Sequence, residues 1–221
     1  LPPSGDDYER SLLRQLTEIA ERQMAELEPH DAESLARYRE VVGGAFDVLI
    51  GRSLPAAGEV VHEHLDTKEH ADYIEYTGLV RNTNAGEVLP TVILQPNEWK
   101  RRVVVWIDGD GKEGLYDSGG EPRPAIKKLL AAGVSVVGAD LLYQGEFLAD
   151  GKPLEKQRMV GDDRRSNYAG YTFGYNRPLF AQRVHDVLSL VSLAAYHETA
   201  PEQVDLVGVN GAGPWVAAAS L

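Results

Sequence analysis

An apolar strand, a glycine turn and the start of a small-residue helix follow one another in Val204-Asp205-Leu206-Val207-Gly208-Val209-Asn210-Gly211-Ala212-Gly213-Pro214-Trp215-Val216-Ala217. Asn210 stands at the apex of that turn. A carboxamide does not lose a proton near neutral pH, so covalent catalysis by attack from Asn210 is chemically excluded. Gly208, Gly211 and Gly213 spell G-x-x-G-x-G. A dinucleotide-binding turn needs G-x-G-x-x-G, so the spacing speaks against a phosphate cradle. Gly109-Asp110-Gly111-Lys112 lacks the earlier glycine and the hydroxyl residue of a P-loop, because Trp106 and Glu113 occupy those places. Asp108 and Asp110 begin like a calcium loop, but Lys112 takes the next ligand position and Gly119 the place of the closing glutamate. His62 and His64 share one strand face, with His70 beyond; polar alternation on a solvent-facing strand explains them more simply than a metal site does. No metal and no cofactor is expected.

These residues need elements to position them. Asp6 and Asp7 can cap a helix whose apolar positions Leu12, Leu13, Leu16, Ile19, Ala20, Met24 and Leu27 recur at helical spacing, and Pro29 stops it. A second helix opens near Asp31 with Leu35, Tyr38, Val42, Phe46 and Leu49 on one face, weakened in its middle by Gly43 and Gly44. Together they predict a helical hairpin over residues 1–55, with an acidic outer surface. From there the period becomes two. Val60–Leu65, Tyr73–Val80 and Glu87–Leu94 read as strands of an antiparallel meander, with turns at 66–70 and 81–86. Beyond Val103, short buried strands alternate with helices: Val103–Ile107, a helix near Pro122–Ala132, Val134–Ala139, a helix near Pro178–His197, and Val204–Val209. That alternation implies a parallel sheet and a second domain over residues 56–221. On the helix from Pro178, Arg183 and Asp186 lie on one side and can pair in a structural role, whereas His185 and Asp186 point apart and make no dyad. The long stretch from Leu148 to Arg177 has neither period; its Tyr168, Tyr171, Phe173 and Tyr175 are placed to pack the loop or stack on a ligand ring.

Composition narrows the function classes. Lys and Arg number 22 against 34 Asp and Glu, a formal charge of −12 in 221 residues, which argues against a nucleic-acid partner. The absence of cysteine removes disulfides, thiolate nucleophiles and zinc–thiolate sites together. Apolar runs such as Val103–Ile107 fall far short of the roughly 20 residues that cross a bilayer, so no membrane span is expected. The chain begins at Leu1 without a basic-then-apolar leader and is expected to be processed or cut.

Taken in order, the pieces resemble the α/β-hydrolases of the acetyl xylan esterase and dienelactone-hydrolase type, over roughly Gly58 to Leu221. Val103 to Gly111 resembles the strand and glycine loop that supply one oxyanion donor. Val136-Val137-Gly138-Ala139-Asp140, with Gln144-Gly145-Glu146, resembles the next strand and its continuation. Asn176 to Asp186 resembles the helix before the nucleophile strand, and Gly208-Val209-Asn210-Gly211-Ala212 falls on the G-x-S-x-G elbow. The resemblance implies a three-layer α/β/α sandwich of α/β-hydrolase type, preceded by the helical hairpin and the meander. It also implies hydrolysis of carboxylic esters, acetyl groups on carbohydrate among them, with Gly211 N–H and an N–H near Asp108 or Gly109 as oxyanion donors. Two departures bear on this. Asn210 stands where the serine belongs and Ala212 where the second glycine belongs, and no Asp, Glu or His follows in Gly211–Leu221, although the family order is nucleophile, acid, histidine.

The expectation is therefore an esterase-related chain that is inert as a serine esterase and forms the front part of a longer protein, with the remaining C-terminal part as a partner. A different class is open beside it: a non-catalytic binding or scaffold protein in which Asn210, Asp108 and Tyr143 hold a carbohydrate or another small ligand. The composition leaves the compartment open, a bacterial secreted or periplasmic setting being slightly favoured.

Overall fold

A computed structural model describes residues 6–150 and 177–220. Tyr168, Tyr171, Phe173 and Tyr175 lie outside the described residues. The chain divides into two compact units, Leu1–Leu49 and Ile50–Leu221.

In the first unit α1 spans Asp6–Glu26 and α2 spans Ala32–Tyr38. Asp31 caps α2: its carboxylate accepts the Ser34 N–H at 2.8 Å, while Ser34 Oγ accepts the Asp31 N–H at 2.9 Å. Those Ser34 hydrogen bonds hold the Asp31 carboxyl below its ordinary value. After one π-helical stretch, Arg39–Gly43, the chain continues as α3, Gly44–Ile50. The change of helical pitch falls where the paired glycines weaken the pattern.

The second unit is built on one six-stranded mixed sheet. Its strands are β1 (Val60–Glu69), β2 (Tyr73–Asn82), β3 (Glu87–Pro96), β4 (Arg102–Asp108), β5 (Val134–Ala139) and β6 (Gln203–Val209). They lie in the order β1-β2-β3-β5-β4-β6. The meander β1-β2-β3 is antiparallel and joins β5 antiparallel, whereas β5, β4 and β6 run parallel. β1 continues through residues 66–69, expected as a turn, because a register shift between His64 and Asp66 absorbs one residue and pairing resumes with Asp66 opposite Thr77. Lys68 and Glu75 then pair across the two strands at 3.3 Å.

The helices are α4 (Pro124–Ala131), with proline at its first turn, α5 (Leu179–Ala195) and the short α6 (Gly213–Ala219). Adjacent residues of β5 serve different clusters. Val136 packs with Val92, Leu94, Ile126 and Leu130, which brings in α4; Val137 packs with Val105, Val187 and Leu190, which brings in α5. Each fully buried Val or Leu contributes about 1.5–3 kcal/mol relative to exposure.

The topology also contains a reversal of strand order. From β4 the chain runs through α4 to β5 on one side, and from β5 through α5 to β6 on the other, so strand order reverses at β4. In open α/β sheets ligands bind outside the carboxyl ends of the strands at such a reversal. Asp108 ends β4 and Asn210 follows β6 at that point.

Candidate functional site

The turn after β6 is strained at its apex. Asn210 has φ +49 and Gly211 has φ +89. Left-handed backbone costs most side chains on the order of 1 kcal/mol and asparagine less, because its short amide can bond locally. Here the amide bonds across the site: Asn210 Nδ2 donates to Asp108 Oδ1 at 2.9 Å. Asp108 is 2% exposed, and the same oxygen accepts the Asp110 N–H at 3.0 Å.

Small residues make this approach possible. A Cβ on Gly109 would lie 1.9 Å from the Asn210 carbonyl oxygen, and one on Gly114 would lie 2.2 Å from Asp108 Cγ. A Cβ on Gly208 would stand 2.9 Å from the Gly213 nitrogen, so glycine also lets β6 close onto α6. Gly109 N–H, expected as an oxyanion donor, is engaged by the Val209 carbonyl at 3.2 Å. Gly211 N–H has no acceptor among the described residues and belongs to an exposed turn.

Three supports around the turn are not legible as site residues in the sequence. Gln144, 4% exposed, donates to the Asp108 carbonyl at 3.1 Å and the Gly109 carbonyl at 2.7 Å, and accepts the Leu141 N–H at 3.0 Å. It binds the loop after β5 to the loop after β4. Asp140, fully buried, takes the Lys112 N–H at 2.9 Å, the Glu146 N–H at 3.0 Å and the Lys112 ammonium. Burial works against the charged Lys112, but its hydrogen bonds to Asp140 and Glu146 outweigh burial and raise its pKa.

Arg183 and Asp186 form the third support. Rather than pairing with each other, they grip the backbone of one residue from both sides: Asp186 accepts the Leu142 N–H at 2.8 Å and Arg183 Nε donates to the Leu142 carbonyl at 3.0 Å. The Arg183 guanidinium also lies 4.5 Å from the ring centre of Trp215 on α6, which couples the Leu142 loop to the helix after the Asn210 turn. Burial pushes the Asp186 carboxyl up to about 7 against the opposing Leu142 hydrogen bond.

Of the expected residues, Asp108, Gly109 and Asn210 meet in one turn-to-turn contact, and Gly211 follows Asn210 in the same turn. Tyr143 does not join it through its ring. Its backbone is left-handed at φ +62, its carbonyl lies 3.4 Å from Arg183 Nη2, and its side chain is exposed with no hydrogen-bond partner for the hydroxyl among the described residues.

Comparison with solved structures bears on the fold. A candidate acetyl xylan esterase from Bacteroides fragilis matches 86% of this chain and 51% of its own, with a TM-score of 0.61 at 10% identity. A glucuronoyl esterase from Solibacter usitatus matches 86% of this chain and 56% of its own, with a TM-score of 0.53 at 12% identity. The likeness is one of fold. The chain thus carries a mixed-sheet α/β fold shared with esterases and spans about half the length of those structures. No protein-family profile matches it, and no curated protein matches its sequence. Among the described residues, no helix is long and apolar enough to cross a membrane.

Proposed function

We propose that the chain is an α/β-hydrolase scaffold of the carboxylic-ester-hydrolase type, a three-layer α/β/α arrangement in its second unit, whose nucleophile position is held by Asn210 and which does not act as a serine esterase. The observation that carries this reading is the Asn210 amide at φ +49 bonded to buried Asp108 at 2.9 Å. An elbow turn presents an attacking hydroxyl; this one presents a carboxamide with no proton to give up and one donor already committed. The fold shared with esterases supports the assignment of the turn. The helical segment expected over residues 1–55 is read as separate from that scaffold up to Leu49, where the first compact unit ends.

What remains is the binding half of the machinery. Gly211 N–H is unspent at an exposed turn and can donate to an ester carbonyl or a sugar hydroxyl, and Tyr143 carries an exposed ring on the loop after β5. A small ester or a carbohydrate held without turnover is the function that fits these groups. The test is hydrolysis of 4-nitrophenyl acetate by the natural protein and by Asn210→Ala. The reading expects equal turnover at the level of a control protein; turnover that disappears on Asn210→Ala overturns it.

A further inference from the structure

A second cleft lies at the other end of the sheet. Its volume is about 480 Å³, and Val103 and Ser135, near the starts of β4 and β5, line it, whereas Asp108 stands at the far end of β4. Val103, Val137 and Ala194 give it a buried apolar floor, and Tyr76 and Trp99 add aromatic walls. Its polar lining is Gln95, Ser135 and Thr199 together with three imidazoles, and Ser135 Oγ is spent on Gln95 Oε1 at 2.8 Å. His62, His64 and His197, three of the six histidines of the chain, border this one cleft. No Asp, Glu, Lys or Arg lines it among the described residues, in a chain whose net charge is −12.

His62 is half-buried rather than solvent-facing, as the strand pattern had suggested, because Gly78 on β2 leaves room for its ring. Its Nε2 is buried with no hydrogen-bond partner, and burial, with His64 and His197 nearby, lowers its pKa. His64 Nε2 bonds Thr67 Oγ1 at 3.1 Å. His197 Nδ1 accepts the Thr199 N–H at 3.3 Å, which places the proton of the neutral ring on Nε2 as a free donor. Among the described residues His64 Nδ1 and His197 Nε2 have no partner, and no group of three His, Asp or Glu is arranged to hold a metal ion. His197 Nε2 is therefore available as a hydrogen-bond donor to a ligand, and His64 Nδ1 is one in the tautomer whose Nε2 accepts the Thr67 hydroxyl.

We propose that this cleft binds a small aromatic carboxylic acid, its ring against Tyr76 and Trp99 and its carboxylate on His64 and His197. The apolar floor and aromatic walls suit a flat ring and cannot pair a second charged group. A wall free of carboxylates spares an anion the repulsion that an acidic chain presents elsewhere, and ring N–H donors satisfy the carboxylate once it leaves water.

Calorimetric titration of the full chain with 2-naphthoate near pH 7 tests this, with 2-naphthamide as the uncharged counterpart. The expected result is saturable binding of one naphthoate, weakened roughly tenfold or more for naphthamide and for a His64→Ala/His197→Ala double variant. Both side chains are exposed, so the double variant retains its fold, which circular dichroism checks. Absence of saturable binding overturns the proposal, as does equal affinity for acid and amide or an undiminished affinity in the double variant. Asn210→Ala is expected to keep the naphthoate affinity; a loss there moves the acid to the β6 turn and also overturns it.

Discussion

The Asn210 amide donates to Asp108 Oδ1 at 2.9 Å, joining turns that are 102 residues apart in the chain. Asp108 is buried and Asn210 exposed, so the bond fixes the apex side chain toward the interior. Removing the donor leaves the carboxylate with the Asp110 N–H as its remaining hydrogen bond among the described residues. Asn210→Ala is therefore expected to lower the unfolding free energy by about 1–3 kcal/mol, and Asn210→Gly by less, because glycine tolerates the left-handed backbone. Urea unfolding of the three chains gives the order; a glycine variant weaker than the alanine variant contradicts it.

Gly109 and Gly213 lie close to the same turn but differ in what a methyl group would meet. At Gly109 a Cβ would sit 1.9 Å from the Asn210 carbonyl oxygen, while at Gly213, inside α6, nothing lies within 4 Å. Gly109→Ala is expected to cost about 3 kcal/mol or more, since backbone must move. Gly213→Ala is expected to be neutral or to stabilise by up to about 1 kcal/mol through helix propensity. Thermal unfolding of the two variants separates these outcomes.

The Lys112 ammonium bonds a fully buried carboxylate, Asp140, and an exposed one, Glu146, whose side chain is 64% accessible. Lys112→Met strands the Asp140 charge and is expected to cost roughly 3–5 kcal/mol. Glu146→Gln removes only a screened partner and is expected to cost about 0–1 kcal/mol. Chemical denaturation measures both, and similar losses would contradict the account.

Asp186 titrates at about 7 in the folded chain against an ordinary 3.8, chiefly because it is buried. Between those values the folded chain holds a proton that the unfolded chain has released. The contribution of this group is thus complete below the ordinary value and is lost as pH rises through about 7. From about pH 5 to about pH 8 the natural chain is expected to lose on the order of 1–3 kcal/mol relative to Asp186→Asn, which has no charge to bury. Parallel stability profiles for the two chains contradict this.

Much of the fold is legible residue by residue. Val103–Ile107 and Val134–Ala139 read as buried strands because both faces are covered, Val136 by the α4 cluster and Val137 by the α5 cluster. Residues 66–69 read as a turn because they are polar, yet the register shift after His64 carries β1 through them, a choice made by pairing with β2 and not by local preference. Asp108 and Asn210 stand out singly in the sequence, but their contact depends on β4 and β6 becoming neighbours. Gln144 is hidden for the same reason, since both carbonyls it binds lie some 35 residues away along the chain. The histidine-bordered cleft is masked by alternation: His62 fits an exposed strand until its ring packs against Gly78 of β2, while His64 stays exposed at the cleft's border.

The central claim is that the apex of the β6 turn carries no nucleophile. Treatment of the protein with an activated fluorophosphonate, followed by intact-mass measurement and peptide mapping, tests it most directly. The account predicts no phosphonyl adduct on the peptide containing Asn210. A stoichiometric adduct at Asn210, or at any serine together with hydrolysis of 4-nitrophenyl acetate, contradicts it.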